Sequence, residues 1–190
     1  MERVLPRSFY ARETLAVARD LLGKVLVRDR RGSLRAARIV EVEAYLGLDD
    51  PASHAFRGAT PRNAPMFGEP GHAYVYLSYG VHYCMNVVAK PPGRPAGAVL
   101  LRGAEPLAGF ADDPRGLAGP GLVGRGFGLT TADSGLDLVS SSLTLRDAPP
   151  IPASAVGRSP RIGIAPSRTS SRLWRFYVRG SRGVSRSPRS

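Results

Sequence analysis

Cysteine is almost absent from this sequence, and Cys84 is the only one in 190 residues. A single cysteine excludes an internal disulfide and agrees with a reducing cytoplasm. No group of Cys and His has the spacing of zinc ligands, so we expect no metal site and no other cofactor. No apolar run is long enough to span a bilayer, and the first three residues do not begin a signal peptide. We therefore expect a cytoplasmic protein without a membrane partner.

Lysine is scarce as well, since Lys24 and Lys90 are the only two and arginine carries the remaining basic charge. The formal net charge is +12 and the pI is about 10.9, which indicates a negatively charged partner. Nucleic acid is the commonest such partner, and an anionic membrane surface is the next. Arginine binds phosphate with a planar fork and stacks on bases, although a coding bias towards arginine explains the Arg/Lys ratio equally well.

The chain length and an apolar fraction of 43% indicate one folded domain with a substantial core. Helical spacing predicts a helix over 12–22 that ends at Gly23. Residues 103–135 are rich in Gly, Pro and Asp, which predicts an ordered but irregular connection with a short helix. Strands are predicted over 24–29, 34–46, 73–78, 81–88, 98–102, 143–146, 161–164 and 174–178.

Many hairpin-like strands with few helices predict an α+β fold: a single domain with a curved antiparallel β-sheet, flanking helices and a protruding β-hairpin. The hairpin joins 73–78 to 81–88, with Tyr79 and Gly80 near its tip. We expect the domain to cover 1–180. Residues 181–190 read as a basic, flexible tail.

Glu41, Glu43 and Tyr45 alternate along the strand over 34–46 and therefore share one face. The two carboxylates lie about 7 Å apart, given a rise of roughly 3.3 Å per residue. If this face lines a cleft, one carboxylate can act as a general base beside an aromatic ring. The alternative is the exposed polar face of an edge strand, which the spacing alone favours.

Other polar and aromatic residues crowd into the same part of the chain. His54 lies in a loop and can bind a phosphate or orient a substrate, although a lone loop histidine is more often merely solvated. The tyrosines of the hairpin can stack on a flat ligand or pack across strands. Tyr79 differs from them, because an aromatic ring at a hairpin tip has little core to pack into. This position favours a wedge that separates stacked base pairs.

Residues 38–47 read Arg-Ile-Val-Glu-Val-Glu-Ala-Tyr-Leu-Gly, and with the motifs that follow they closely resemble the alkyladenine (3-methyladenine) DNA glycosylase family. The later motifs are Pro-Arg-Asn at 61–63 and the segments 74–86, 99–107, 119–121, 161–164 and 174–180. Several motifs in one order are more specific than any one of them, and the resemblance covers nearly the whole chain. Leu122 departs from the family, which usually has lysine after Gly-Pro-Gly. This concerns one backbone or helix-terminal contact and not the chemistry.

The resemblance implies a base-excision-repair enzyme that flips a damaged purine out of double-stranded DNA, cleaves its N-glycosidic bond with an activated water and leaves an abasic site. It assigns Glu43 as the general base for attack on the sugar C1′. Tyr45 and Tyr76 would sandwich the flipped base, and His54 would contact the base or the adjacent phosphate. Family members differ over 3-methyladenine, 7-methylguanine, hypoxanthine and ethenoadenine.

The resemblance assigns three further residues. Tyr79 would intercalate where the base leaves the duplex. Asn86 would crowd the exocyclic amino group of guanine at the pocket wall. Arg102 would lie near the catalytic water and the DNA backbone. We expect the protein to act as a monomer, associated with the nucleoid through its binding to damaged DNA.

The lysine content predicts a monofunctional enzyme, since cleavage of the backbone requires an amine for a Schiff base. The candidates are Lys24, Lys90 and the N-terminus, and none of them has a recognisable catalytic setting. The alternatives are a catalytically inactive nucleic-acid-binding module and a sugar hydrolase that uses Glu41 with Glu43. A carboxylate facing phosphates does nothing for binding alone, and two side chains on one strand point in parallel and do not flank a bond.

Overall fold

The computed structural model describes residues 3–110 and 116–185. Within this part of the chain, eight strands form one curled antiparallel sheet that three short α-helices accompany, which confirms the α+β prediction. The helices are α1 (Arg7–Tyr10), α2 (Thr14–Leu21) and α3 (Pro120–Gly126). The strands are β1 (Val25–Arg30), β2 (Ser33–Tyr45), β3 (Ala73–Ser78), β4 (His82–Val88), β5 (Ala98–Ala108), β6 (Leu143–Arg146), β7 (Val156–Ser159) and β8 (Arg175–Val178).

Strand β2 is the centre of the sheet, whose main order is β3-β4-β5-β2-β1-β6. One edge of β2 pairs with β5 along most of its length. The other edge pairs with β1 over its first half and with β8 opposite Glu41–Glu43. The edge-strand interpretation of Glu41 and Glu43 is therefore wrong, since both glutamates lie in a strand with neighbours on both sides.

Helix α2 covers one face of the sheet and contributes to the main hydrophobic core. Its Val17, Ala18 and Leu21 are fully buried. They belong to the same cluster as Val42 and Ala44 of β2, which point away from the glutamates. The main hydrophobic core thus lies on one side of β2, and the opposite face of the same strand is left for polar side chains.

The hairpin of β3 and β4 has its tip at the predicted position. Tyr79 and Gly80 both adopt left-handed backbone conformations, with φ of 49° and 71°. This tight turn leaves the Tyr79 side chain 96% exposed. Helix α3 packs closely against β4, because a Cβ on Gly124 would lie 1.9 Å from the Tyr83 carbonyl oxygen. Only glycine permits this approach, which brings the start of α3 next to His82, close to the tip of the hairpin.

Two local predictions differ from the structure. Residues 161–164 form no strand, because Arg161 turns inward and Gly163 has a φ of 72°, which breaks an extended conformation. The strand of that region is β7, at Val156–Ser159. Strand β5 continues to Ala108, so the connection predicted over 103–135 begins as a strand, and residues 111–115 lie outside the described part.

The described part of the predicted tail packs against the sheet. Gly183 and Ser185 are buried, and Ser185 contacts Glu41. Residues 186–190 lie outside the described residues, so the boundary at 180 stays a prediction. No helix in the described residues has the length and apolarity needed to cross a membrane.

Candidate active site

A cavity of about 620 Å³ opens on the polar side of β2, between the hairpin and the loop after β7. Its wall contains six of the seven residues assigned from the sequence: Tyr45, His54, Tyr76, Tyr79, Asn86 and Arg102. These residues come from β2, β3, β4, β5 and two loops, so the sheet brings together positions up to 57 residues apart in the sequence. The seventh, Glu43, lies directly behind this wall.

Glu43 is fully buried, and three donors hold its carboxylate. The backbone N–H of Ile162 donates to Oε1 at 2.7 Å. The Tyr45 hydroxyl donates to Oε2 at 2.9 Å, and Arg102 Nη1 donates to Oε2 at 3.3 Å. Because Tyr45 and Arg102 both line the cavity, the carboxylate is one side chain away from it.

Tyr45 lies between the cavity and a buried cation. The guanidinium carbon of Arg161 stands 4.5 Å from the centre of the Tyr45 ring and 5.0 Å from the ring of Trp174. Arg161 Nη1 also donates to the backbone oxygen of Ala44, next to Tyr45, at 3.0 Å. Burial and the neighbouring charge of Glu43 raise the pKa of the Tyr45 hydroxyl well above its usual value. Tyr45 is therefore a fixed, neutral aromatic wall.

Asp50 neutralises Arg161 in a pair whose side chains are both 0% exposed. Two parallel bonds of 2.5 and 2.8 Å join them, and the Thr169 hydroxyl donates to Asp50 Oδ1 at 2.9 Å. Burial by itself raises the pKa of Asp50, but the hydrogen bonds and charge of Arg161 outweigh it and hold the pKa below its ordinary value. The pair fixes the loop after β2 to the loop after β7.

The opposite side of the cavity is also aromatic. The rings of Tyr74 and Tyr76 are stacked with centroids 5.5 Å apart, and the His54 ring meets Tyr76 edge-on at 4.5 Å. His54 Nδ1 is 2.8 Å from the Tyr74 hydroxyl. Partial burial, and then the charge of Arg62, lower the pKa of His54. Burial raises the pKa of Tyr74 to about 12, so these hydroxyls remain neutral at physiological pH.

Asn86 and Arg102 occupy the floor of the cavity. Asn86 Nδ2 donates to the Tyr74 backbone oxygen at 3.1 Å, which fixes the side-chain amide across the hairpin. Burial lowers the pKa of Arg102, but the charges of Glu43 and Glu41 outweigh it, so the net shift is upward and the guanidinium stays charged.

The mouth of the cavity carries the exposed tip of the hairpin. Tyr79 is 96% and Val81 is 69% exposed, although both are apolar. Arg62 also lies at the mouth, donates to the Leu77 backbone oxygen at 3.1 Å and stands 5.5 Å from the Tyr76 ring. An exposed wedge and an exposed cation therefore stand next to the aromatic cavity.

Both lysines are engaged away from the cavity. Lys24 Nζ pairs with Asp147 at 2.6 Å. Lys90 Nζ donates to the backbone oxygens of Phe67 and Pro95 at 2.9 and 2.7 Å. Neither lines the cavity. Among the described residues, no group of His, Cys, Asp and Glu is arranged to hold a metal ion.

Sequence reasoning missed Arg161, Asp50 and the Ile162 backbone N–H as parts of this site. The segment 161–164 was among the motifs of the resemblance, but it was predicted to be a strand, and a strand gives no reason to expect that the Arg161 side chain points into the protein. Asp50 gave no signal of its own, since its partner lies 111 residues further along the chain.

Comparison with known proteins gives a consistent result. The family model described as "Methylpurine-DNA glycosylase" matches residues 8–182. A protein of Anaeromyxobacter dehalogenans strain 2CP-1 is 53% identical over 186 residues, which cover 97% of this chain and 86% of that protein. A protein of Myxococcus xanthus strain DK1622 is 48% identical, with 97% and 94% coverage. A third, from Methanocella arvoryzae, is 45% identical, with 96% coverage of both chains. All three bear the name "Putative 3-methyladenine DNA glycosylase".

Proposed function

The chain belongs to the methylpurine-DNA glycosylase family, and on this premise we propose that it hydrolyses the N-glycosidic bond of alkylated or deaminated purines in duplex DNA. The family places it in base excision repair. The observation that carries the proposal is the Glu43 carboxylate, held by Tyr45 and Arg102 at the back of an aromatic cavity. The substrates are 3-methyladenine and its relatives hypoxanthine, ethenoadenine and 7-methylguanine.

The cavity receives a purine that has left the stack. Its volume of about 620 Å³ lies in the range of small-molecule sites, roughly 300–1,000 Å³. Tyr45 forms one wall, and Tyr76 forms another with His54 against its edge. A ring-alkylated purine is cationic, and electron-rich aromatic faces attract a cation by about 0.5–2 kcal/mol. Ring-alkylated bases are thus favoured over normal ones, whereas the neutral lesions hypoxanthine and ethenoadenine gain only stacking.

Glu43 activates the water that attacks C1′. A carboxylate beside the sugar also stabilises the oxocarbenium-like transition state of glycoside cleavage. General-base catalysis contributes about 10²–10⁴-fold. Glu43 accepts three hydrogen bonds, whereas a carboxylate has about four acceptor sites, so one site is left for the attacking water while Tyr45 and Arg102 hold the carboxylate in place.

The exposed hairpin tip holds the duplex open. Extruding a base costs a few kcal/mol of lost stacking and pairing. Tyr79 replaces part of this stacking when it enters the gap, and it is 96% exposed in a left-handed turn that keeps it clear of the core. Arg62 at the cavity mouth and the net charge of +12 supply phosphate contacts.

Asn86 discriminates against normal guanine. Its amide lies in the cavity floor and is fixed by the bond from Nδ2 to the Tyr74 backbone oxygen. A fixed side chain there crowds the C2 amino group of guanine, which adenine-derived lesions lack. 7-Methylguanine keeps this group, so its binding has to draw on its positive charge between the aromatic rings.

The enzyme is monofunctional and stops at the abasic site. Lys24 is paired with Asp147, and Lys90 is held by two backbone oxygens. Burial lowers the pKa of Lys90, which favours a nucleophilic amine, but Lys90 does not line the cavity. The acting unit is a monomer on damaged double-stranded DNA, bound through the aromatic cavity and the adjacent wedge.

The test is release of base from duplexes that each carry one lesion, by wild type, Glu43→Gln and the control Glu69→Gln. Glu69 is exposed and does not line the cavity. We expect release by wild type and by the control, and a loss of at least about 10²-fold in Glu43→Gln with unchanged binding. Strand breaks should appear only after alkali. Tight binding by wild type without release from any lesion would favour an inactive nucleic-acid-binding module, and breaks without alkali would overturn the monofunctional assignment.

A further inference from the structure

Glu41 is a second buried carboxylate beside Glu43, and the proposed mechanism does not use it. It is 0% exposed, and its oxygens accept four hydrogen bonds. Oε1 accepts from Arg102 Nε at 3.1 Å, Arg175 Nε at 2.7 Å and the Ser185 hydroxyl at 2.8 Å. Oε2 accepts from the Ser185 backbone N–H at 2.5 Å. Such a well-bonded carboxylate has no free oxygen for a substrate or a water.

Arg102 bridges the two carboxylates with different nitrogens. Nε faces Glu41, and Nη1 faces Glu43 at 3.3 Å. Contacts at two different nitrogens fix the rotation of the planar guanidinium, whereas Glu43 alone would contact only one nitrogen and leave the group free to rotate. Arg102 lines the cavity, so its orientation sets where a positive charge stands next to the reacting sugar.

The chain beyond β8 completes this arrangement. A Cβ on Gly103 would lie 2.2 Å from the Gly183 carbonyl oxygen, and one on Gly183 would lie 2.6 Å from the Ala104 oxygen. The two glycines therefore let residues 181–185 lie directly on β5, beside Arg102. This close approach delivers both the backbone N–H and the hydroxyl of Ser185 to Glu41.

We propose that Glu41 is a positioning residue that holds Arg102 in its working orientation against Glu43, and that Ser185 holds Glu41 in turn. The inference rests on the proposed function, since it concerns the same site. Glu41 touches no substrate, and its effect passes through Arg102. Residues 181–185 are thus part of the catalytic apparatus through Ser185 and not a tail appended to it.

The experiment is a double-mutant cycle with a duplex that carries one lesion excised by wild type. The measured quantities are the single-turnover rate of base release and the dissociation constant for the same duplex. We expect Glu41→Gln to release base about 10- to 100-fold more slowly, because a small misplacement of a positioning group has a cost of this order. The dissociation constant should stay within about threefold.

The second arm separates positioning from general stability. In an Arg102→Gln background, Glu41→Gln should change the rate of base release by less than about threefold, because Arg102, through which Glu41 acts, is already missing. Asp133→Asn is the matched control, since Asp133 forms another buried ion pair, with Arg28 at 2.7 Å, and its partners do not line the cavity. The control should lower the melting temperature without changing the rate of the folded enzyme.

Each outcome decides a claim. An unchanged rate in folded Glu41→Gln, or rate losses that multiply in the double variant, would overturn the inference while the proposed function stands. Failure of wild type to release any lesion would overturn both. If Glu41→Gln does not fold, Ser185→Ala is measured in the same cycle. It removes the 2.8 Å bond from the hydroxyl to Glu41 and the 3.4 Å bond that the hydroxyl accepts from Arg102 Nη2, and the expected loss is about two- to tenfold. An unchanged rate there would overturn the role of Ser185.

Discussion

The buried pair of Asp50 and Arg161 gives the sharpest quantitative prediction. Asp50→Asn keeps the size of the side chain and removes its charge, which leaves Arg161 buried without a counter-ion. Loss of one partner from such a pair costs about 3–5 kcal/mol in the free energy of unfolding. For a domain of this size, 1 kcal/mol corresponds to roughly 2–4 °C, so the melting temperature should fall by roughly 6–20 °C.

The control is the neighbouring residue Asp49, whose salt bridge with Arg94 joins two exposed side chains, 65% and 51% exposed. Asp49→Asn should change the unfolding free energy by at most about 1 kcal/mol. Urea unfolding monitored by fluorescence measures both variants at pH 7. A loss below about 1 kcal/mol in Asp50→Asn would refute the argument that this buried pair stabilises the fold.

The same pair predicts a pH dependence. Because the folded pKa of Asp50 lies below its usual value of 3.8, the unfolded chain binds the extra proton first as the pH falls. The stabilisation from Asp50 is therefore complete above about pH 4 and is lost as the pH falls through the lower folded value. The difference between wild type and Asp50→Asn should shrink over that acidic range, and a difference independent of pH would contradict this assignment.

Four further outcomes are expected. Tyr79→Ser should weaken binding to damaged duplex more than binding to undamaged duplex, as measured by fluorescence anisotropy. An unchanged ratio of the two dissociation constants would show that Tyr79 does not act as a wedge. Binding should weaken with salt, with a log–log slope of about 0.9 for each phosphate neutralised; a flat dependence would place the basic surface outside the interface. The lowered pKa of His54 means that unfolding free energy should decrease as the pH falls below about 6.5, and less so in His54→Gln; equal slopes would contradict it. Burial raises the pKa of the Cys84 thiol, so iodoacetamide should label it slowly until urea is added, and rapid labelling of the folded protein would show an accessible thiolate.

The sequence predicted the parts of the site that depend on local order. Alternation along β2 placed Glu41, Glu43 and Tyr45 on one face, and the position of Tyr79 and Gly80 predicted an exposed tip. Each of these follows from the two-residue period of a strand or from turn chemistry, which act over a few residues.

The rest of the site depends on contacts between distant segments. Arg161 reaches Asp50 across 111 residues, and Ser185 reaches Glu41 across 144. Periodicity carries no information on such pairings, because only the sheet topology brings them together. For the same reason the pattern of β2 alone favoured an edge strand. The strands that pair with its second half, β5 and β8, lie far away in the sequence.

The pairing of β2 with β8 has a consequence for the order in which the protein is made. Glu41 leaves the ribosome 134 residues before its partner Arg175, an interval of roughly 7–27 s at about 5–20 residues per second. Until then the second half of β2 lacks one neighbour, and Glu41 lacks three of its four donors, which come from Arg175 and Ser185. Contacts this distant in sequence also form slowly once the chain is free. A nascent chain that stalls before β8 therefore holds both glutamates but lacks most of the donors to Glu41, so this part of the site is completed only when the chain has been made as far as Ser185.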